Sequence, residues 1–441
     1  MMNSQMMEAD RFTAPKNRLF GSKSDTMIYF ILFCMIEAVF LNSSLQIIVG
    51  PLLAFLFSYL YLFKKDTLLV TLFIMIANDS LGTVFWGKIS FQYVLIVLVV
   101  CKVLSQKTIQ LRTILLFLLA TAMILQPYFT NVVPFKNTII TVFYVIALLL
   151  EYETKDKDAF FERMKVSISL IVGLISIHAI LTGGVVFSED IVNSNTIEGM
   201  RRGILGVGIG DPNFSCLLLC TGIICVLNAQ SFNRIFKVII FAVCTGAMLV
   251  TLSTAGLIAY ILVLLLNIVV QSGFSKIVKQ LSIVVIVIVL VSQIYFSLPS
   301  QYRIEYIDTY VERMEMKADY LSEGDMASAT TNRSDIAEQY WNYIMGEQSF
   351  LGKMFGGNSV LLLRHVPHNT YIDFIVQFGF IGAIFLILFI IKRFIGTCFA
   401  PKDMNRKIQL ILKVLYMVFI FSISVYSEST FALLFVFLFV F

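Results

Sequence analysis

Apolar residues recur along the chain in long runs, separated by short polar stretches that carry most of the charge. The runs fall at 26–44, 45–63, 67–86, 89–104, 113–129, 137–152, 166–187, 212–228, 236–252, 255–271, 277–298, 369–391 and 407–425, and a shorter one occupies 431–441. A helix needs about 20 apolar residues to cross about 30 Å of hydrocarbon, and most of these runs approach that length. In hydrocarbon every backbone N–H and C=O must be paired within its own segment, so such runs predict helices rather than the strands of a barrel. The expected fold is all-α: a polytopic integral membrane protein with thirteen or fourteen transmembrane helices. The fourteenth depends on whether the final run begins near Tyr426.

One segment breaks this rhythm. Leu298 to His368, between the eleventh and twelfth runs, is long and polar. Ile304, Ile307, Val311, Met314, Ala318 and Leu321 stand three and four apart among charges, which predicts an amphipathic helix lying along the membrane surface or packed on the spans. After the soft stretch Ser322 to Thr331, Asn332 is placed to cap a second helix with Asp335 three residues on, and Ile336, Tyr340, Trp341 and Ile344 give it an apolar stripe. A Gly-containing turn is expected from Leu351 to Asn358, ahead of Arg364, His365 and His368.

Composition turns this pattern into a statement about solvent. The 441 residues are 58% hydrophobic and 14% charged, with a mean hydropathy of +0.86. A soluble domain carries about a quarter charged residues, so the bilayer is the solvent these runs require. The net charge of +5 comes with no basic block and no aromatic–basic interleaving, which argues against nucleic acid as a partner.

Topology explains the excess charge instead. With the N-terminus in the cytoplasm, one side collects Arg11 to Lys23, Lys64 and Lys65, Lys102 to Arg112, Lys155 to Lys165, Arg234 and Lys237, Lys276 and Lys279, and Lys392 to Lys413. These are most of the 33 Lys and Arg, whereas the short loops opposite hold only Lys88, Lys136, Arg201 and Arg202, as the positive-inside rule requires. Residues 1–25 then read as a cytoplasmic tail before a signal-anchor helix, with 188–211 and 299–368 extracytoplasmic and a multi-pass plasma-membrane location. All seven cysteines lie in apolar runs or at their edges, so neither a disulfide framework nor a zinc site is implied. Cys216 and Cys220, four apart on a helix, read as helix- or lipid-packing residues.

Three polar clusters fall on the extracytoplasmic side. In the first, Arg201 and Arg202 precede a glycine-rich run ending in Asp211, Pro212 and Asn213 at a helix start. Two readings stand: an anion site such as one for diphosphate, made of guanidiniums, bare backbone N–H groups and a helix N-terminus, or a plain loop-to-helix connection with Pro212 in the first turn. The second cluster is Thr331 to Asp335, where Arg333 opens a helix, a place the helix dipole disfavours for a cation; Trp341 lies beyond it. The third is Arg364, His365, Pro367, His368 and Asn369, where an imidazole can act as general base and Arg364 as an anion contact. Pro367 breaks helical spacing between the two histidines and no carboxylate completes a ligand set, so no metal or other cofactor is expected. His178, alone on an apolar helix, reads as an interhelical hydrogen-bonding residue, and Glu37 and Asp79 are the main ionisable groups inside spans.

Taken in order, Asn332-Arg333-Ser334, Tyr340-Trp341, Leu351-Gly352, Pro367-His368-Asn369-Thr370-Tyr371-Ile372 and Gln377-Phe378-Gly379-Phe380-Ile381-Gly382 resemble the Wzy-type polysaccharide polymerase and O-antigen ligase family. Upstream, Arg202-Gly203 and Asp211-Pro212-Asn213 are similar to that family's first outer-loop motif. Two departures stand out: the spacing of Gly352, Gly356 and Gly357 is wider, and Leu252-Ser253-Thr254-Ala255-Gly256 carries Thr254 where many relatives have arginine.

The resemblance implies a membrane glycosyltransferase that uses a donor linked to undecaprenyl diphosphate and needs no cofactor. Arg201, Arg202, Arg333 and Arg364 would face the diphosphate, with Asn213, Asn369 and Trp341 contacting diphosphate or glycan. His368 would be the base or orienting group, with Asp211 or Asp335 less favoured. Chain-length regulators, flippases and membrane lipids are the expected partners. Two alternatives share these features: a ligase passing glycan to a lipid A core, and a flippase or exporter of the same lipid-linked sugars. The flippase predicts inverted repeats and a polar central cavity; no repeat is evident, and the polar residues crowd one face.

Overall fold

The structure is a computed structural model that describes residues 32, 34–36, 46–63, 67–76, 90–106, 110–129, 136–154, 156–183, 185–186, 202–203, 212–271, 279, 282, 286, 289–290, 293–299, 305–325, 328, 333–347, 350–355, 369–399 and 404–419. Helices dominate it. They are α1 (Gln46–Leu62), α2 (Thr67–Ile76), α3 (Phe91–Leu104), α4 (Leu111–Phe129), α5 (Lys136–Thr154), α6 (Lys157–Thr182), α7 (Pro212–Asn228), α8 (Arg234–Thr251) and α9 (Thr254–Gln271). There follow α10 (Glu305–Glu323), α11 (Arg333–Asn342), a π-turn at Tyr343–Glu347, α12 (Phe350–Phe355), α13 (Thr370–Phe399) and α14 (Met404–Phe419).

Burial separates central helices from peripheral ones. A helix that is apolar all round must be surrounded, and α7 is: α6, α8, α9 and α14 pack on it, and nearly every one of its residues is buried. Every residue of α2 is likewise buried, among α1, α3, α5 and α6. The outer helices instead present large apolar side chains outward: Phe55 on α1 is 74% exposed and Phe385 on α13 is 70% exposed, with Leu52, Val97, Ile239, Ile258 and Leu388 also exposed. So much apolar surface suits lipid and not water. Lys157–Thr182, Arg234–Thr251 and Phe378–Phe399 are long and apolar enough to cross a membrane.

The helices cross closely where a glycine permits it. A Cβ on Gly256 of α9 would lie 2.1 Å from the Cys216 Sγ of α7 and 2.6 Å from its Cβ. Gly256→Ala is therefore expected to cost about 1–3 kcal/mol by overpacking, and Cys216→Gly in the same chain should recover most of it. Melting curves of the two single variants, the double variant and the wild type test this crossing; a Gly256→Ala protein that melts with wild type would disprove it.

Several elements differ from the sequence expectations. The helix expected from 166 begins at Lys157, because the charges that suggested a loop are satisfied within the structure. Lys165 is buried, its Nζ 2.7 Å from Glu162 Oε2, 3.3 Å from the Asn228 carbonyl and 3.4 Å from Asn405 Oδ1. The expected span 369–391 is a kinked helix running to Phe399; Gly379 at the kink has φ 64° and ψ 177°, a conformation only glycine adopts readily. A two-residue antiparallel ribbon, β1 (Val185–Val186) with β2 (Arg202–Gly203), is new, and the short helix α12 stands over residues 351–355 where the sequence predicts a turn from Leu351 to Asn358; residues 356–358 lie outside the described ones. The run 431–441, Glu37 and Asp79 lie outside the described residues.

Candidate functional site

At one end of the bundle the N-termini of α7 and α9 meet the C-terminus of α8. The link between α8 and α9 is only Leu252 and Ser253, and Leu252 turns the chain with a left-handed backbone (φ 51°). Ser253 caps α9: its Oγ accepts from the Gly256 N–H at 3.0 Å and donates to Asn213 Oδ1 at 3.1 Å, tying α9 to the first turn of α7. The Thr251 Oγ1 donates to the Met248 carbonyl at 2.7 Å, accepts from the Ser253 N–H at 3.3 Å and lies 3.2 Å from Cys216 Sγ. The β-ribbon rests on α7 and α8 here, which brings the backbone of Arg202 to the same end.

Arg313 of α10 reaches into this junction. It is 2% exposed and its Nη1 donates to the Leu252 carbonyl at 3.0 Å. A helix C-terminus carries partial negative charge and favours a cation; α8 has none in its last turn, so α10 supplies it from the polar segment. The expected apolar stripe divides along α10, with Ile307 and Val311 half-buried. Thr309 and Arg313 face the bundle, while Met314 (47% exposed) and Leu321 (55% exposed), two members of the expected stripe, point away.

A second group gathers where α11 packs on the first turns of α13. Tyr340, Ile344 and Val376 form its buried centre, and the Trp341 ring stands edge-on to Phe380 with centroids 6.3 Å apart. Trp341 keeps 43% of its surface exposed. Asn369 caps α13, its Oδ1 accepting from the backbone N–H groups of Tyr371 at 3.0 Å and Ile372 at 3.3 Å. Burial, and then the nearby Asp373 carboxylate, pushes the Tyr340 phenol up to about 12. Arg333, half-buried, opens α11, and the Ser334 Oγ donates to Asp335 Oδ1 at 3.3 Å.

The structure thus places Asn213 and the backbone of Arg202 in the first group, and Arg333, Trp341 and Asn369 in the second. Arg201, Asp211, Arg364 and His368 lie outside the described residues. His178 is buried in α6. Arg313 was missed by sequence reasoning, since an arginine in an amphipathic helix reads as solvent face; the one available signal was the missing cation at the end of α8. Among the described residues no group of three or more His, Cys, Asp or Glu is placed to hold a metal ion.

Helices that bury one another and turn apolar faces outward define a helical membrane protein. Compared with known protein families, with curated proteins and with solved structures, the chain matches none.

Proposed function

We propose that the chain is a polysaccharide polymerase: a plasma-membrane glycosyltransferase joining oligosaccharide repeats carried on undecaprenyl diphosphate. In this reading the N-terminus is cytoplasmic, thirteen or fourteen helices span the bilayer, and α10 to α12 belong to the large extracytoplasmic segment. The observation that carries it is the Ser253–Asn213 hydrogen bond. It joins Asn213, part of the likeness to the family's first outer-loop motif, to Ser253, in the stretch compared with the family that departs from it at Thr254, and the two stand far apart in sequence. Arg313 of α10 reaches the same junction, where its Nη1 donates to the Leu252 carbonyl; Thr254, which stands where many relatives carry arginine, remains a departure from the family pattern.

The proposed reaction needs no metal. A hydroxyl oxygen of the acceptor glycan attacks the anomeric carbon of the donor, and the bond from that carbon to the phosphate oxygen breaks. The electron pair leaves on undecaprenyl diphosphate, whose growing charge is met by Arg201, Arg202, Arg333 and Arg364. The hydroxyl proton passes to the His368 imidazole. Asn213, buried with its Oδ1 engaged by Ser253, and Asn369, engaged as a cap, act by positioning; the exposed Trp341 face stacks on glycan.

The test is a reaction of purified protein in lipid with the matched undecaprenyl-diphosphate repeat unit and no nucleotide sugar, resolved by chain length on a gel. A ladder is the expected result. Transfer of single glycans to a lipid A core without a ladder would replace polymerase by ligase, and transbilayer movement of the repeat without any new bond would replace it by flippase.

A further inference from the structure

At the other end of α7 lies a second feature that the polymerase reading does not use. α5, α6, α13 and α14 enclose a cleft of about 700 Å³ whose lining includes Lys157, Lys392, Arg393, Arg406 and Lys413. Asp158 is the one carboxylate in that lining, and its Oδ1 accepts from Asn405 Nδ2 at 2.7 Å. Like charges repel, so five cations around one cavity with one carboxylate make a strongly positive space that favours an anion. The frame holding them is built: Lys413 is buried, with its Nζ donating to Thr397 Oγ1 at 2.6 Å and to the Arg393 carbonyl at 3.4 Å, which pins α14 to α13.

The cleft has an apolar side as well. Phe161, Phe389 and Tyr152 line it; the Arg393 guanidinium carbon is 5.6 Å from the centre of the Phe389 ring, and Lys157 Nζ is 5.7 Å from that of Tyr152. From Phe389 the outward face of α13 continues through the exposed Leu388 and Phe385 into the apolar belt. The cavity therefore sits where apolar helix surface gives way to cations, the depth of a headgroup, with a greasy path leading out of it. A soluble anion has no use for that path, whereas an acyl chain does.

We propose that this cleft binds the phosphate headgroup of an anionic phospholipid, with Lys157, Lys392, Arg393 and Arg406 around the phosphate oxygens and the acyl chains along Phe385 and Leu388. Arginine and lysine clusters between helices at a membrane face recognise such headgroups through charge-assisted hydrogen bonds. The proposal rests on the membrane placement of α6 and α13 and is independent of the polymerase reading.

The test uses the full chain in phosphatidylcholine nanodiscs, with cardiolipin, phosphatidylglycerol and inorganic diphosphate each added and binding followed by native mass spectrometry. Cardiolipin and phosphatidylglycerol are expected to be retained, and the double variant Lys392→Gln with Arg406→Gln should weaken their retention at least tenfold. Lys353→Gln, on α12 at the opposite end, should leave it unchanged. Retention of the anionic lipids no better than that of phosphatidylcholine, or equal retention by the double variant, would overturn the proposal. Tight binding of inorganic diphosphate without lipid would assign the cleft to a soluble anion instead.

Discussion

His368→Ala and Arg333→Ala should each shorten or erase the polymer ladder, with rates down by about 10²–10⁴ for the lost base and about 10²–10³ for the lost guanidinium. The two losses have different causes, which makes them separable. In the proposed mechanism the loss of the imidazole leaves the acceptor hydroxyl without a group to take its proton, so a substitute base in the buffer should restore part of the His368→Ala rate. Arg333 stands at the first position of α11, where the helix dipole opposes a cation and where Ser334 and Asp335 follow. Arg333→Lys keeps the charge but not the planar fork that grips two phosphate oxygens, and it should recover only part of the rate. A ladder untouched by both substitutions, from protein that melts as wild type, would remove both residues from the chemistry.

Arg313→Met should loosen α10 from the bundle while leaving the other helices packed. The substitution keeps most of the side chain's bulk but deprives the Leu252 carbonyl of a charged donor in a buried place, a loss of about 1.5–3 kcal/mol. Opening of α10 should then become about 10- to 150-fold more frequent, since 1.4 kcal/mol is a factor of ten. Hydrogen exchange over Glu305–Glu323 in nanodiscs reads this directly, and protection equal to wild type would show that the apolar contacts of α10 suffice. Because the same carbonyl ends α8 beside Ser253 and Asn213, the ladder should also weaken.

Much of the fold was written in the runs themselves. α1, α3, α7, α8 and α9 occupy nearly the stretches their apolar residues predict, since a helix in lipid has no competitor for its backbone hydrogen bonds. α10 and α11 begin and end close to where three-and-four spacing and a capping residue place them. What stayed hidden depends on partners distant in sequence. Lys165 looks like a loop residue until Glu162, Asn228 and Asn405 surround it, and Arg313 looks solvated until the end of α8 is known to lack a cation. The ribbon at Val185 and Arg202 is too short to leave an alternating pattern. Of the candidate site, the residue types were legible, but the joining of Asn213 to Ser253 required the packing of α9 against α7.

The two-residue connection between α8 and α9 bears on how the protein is made. With only Leu252 and Ser253 between them, α8 and α9 form a tight hairpin from Arg234 to Gln271 that is expected to pack as one unit. Its two legs lean on α7 far more than on each other, and α7 leaves the ribosome first. α7 is then expected to be in place before the hairpin packs on it, with the bond between Ser253 and Asn213 fixing the register of the two in the finished bundle.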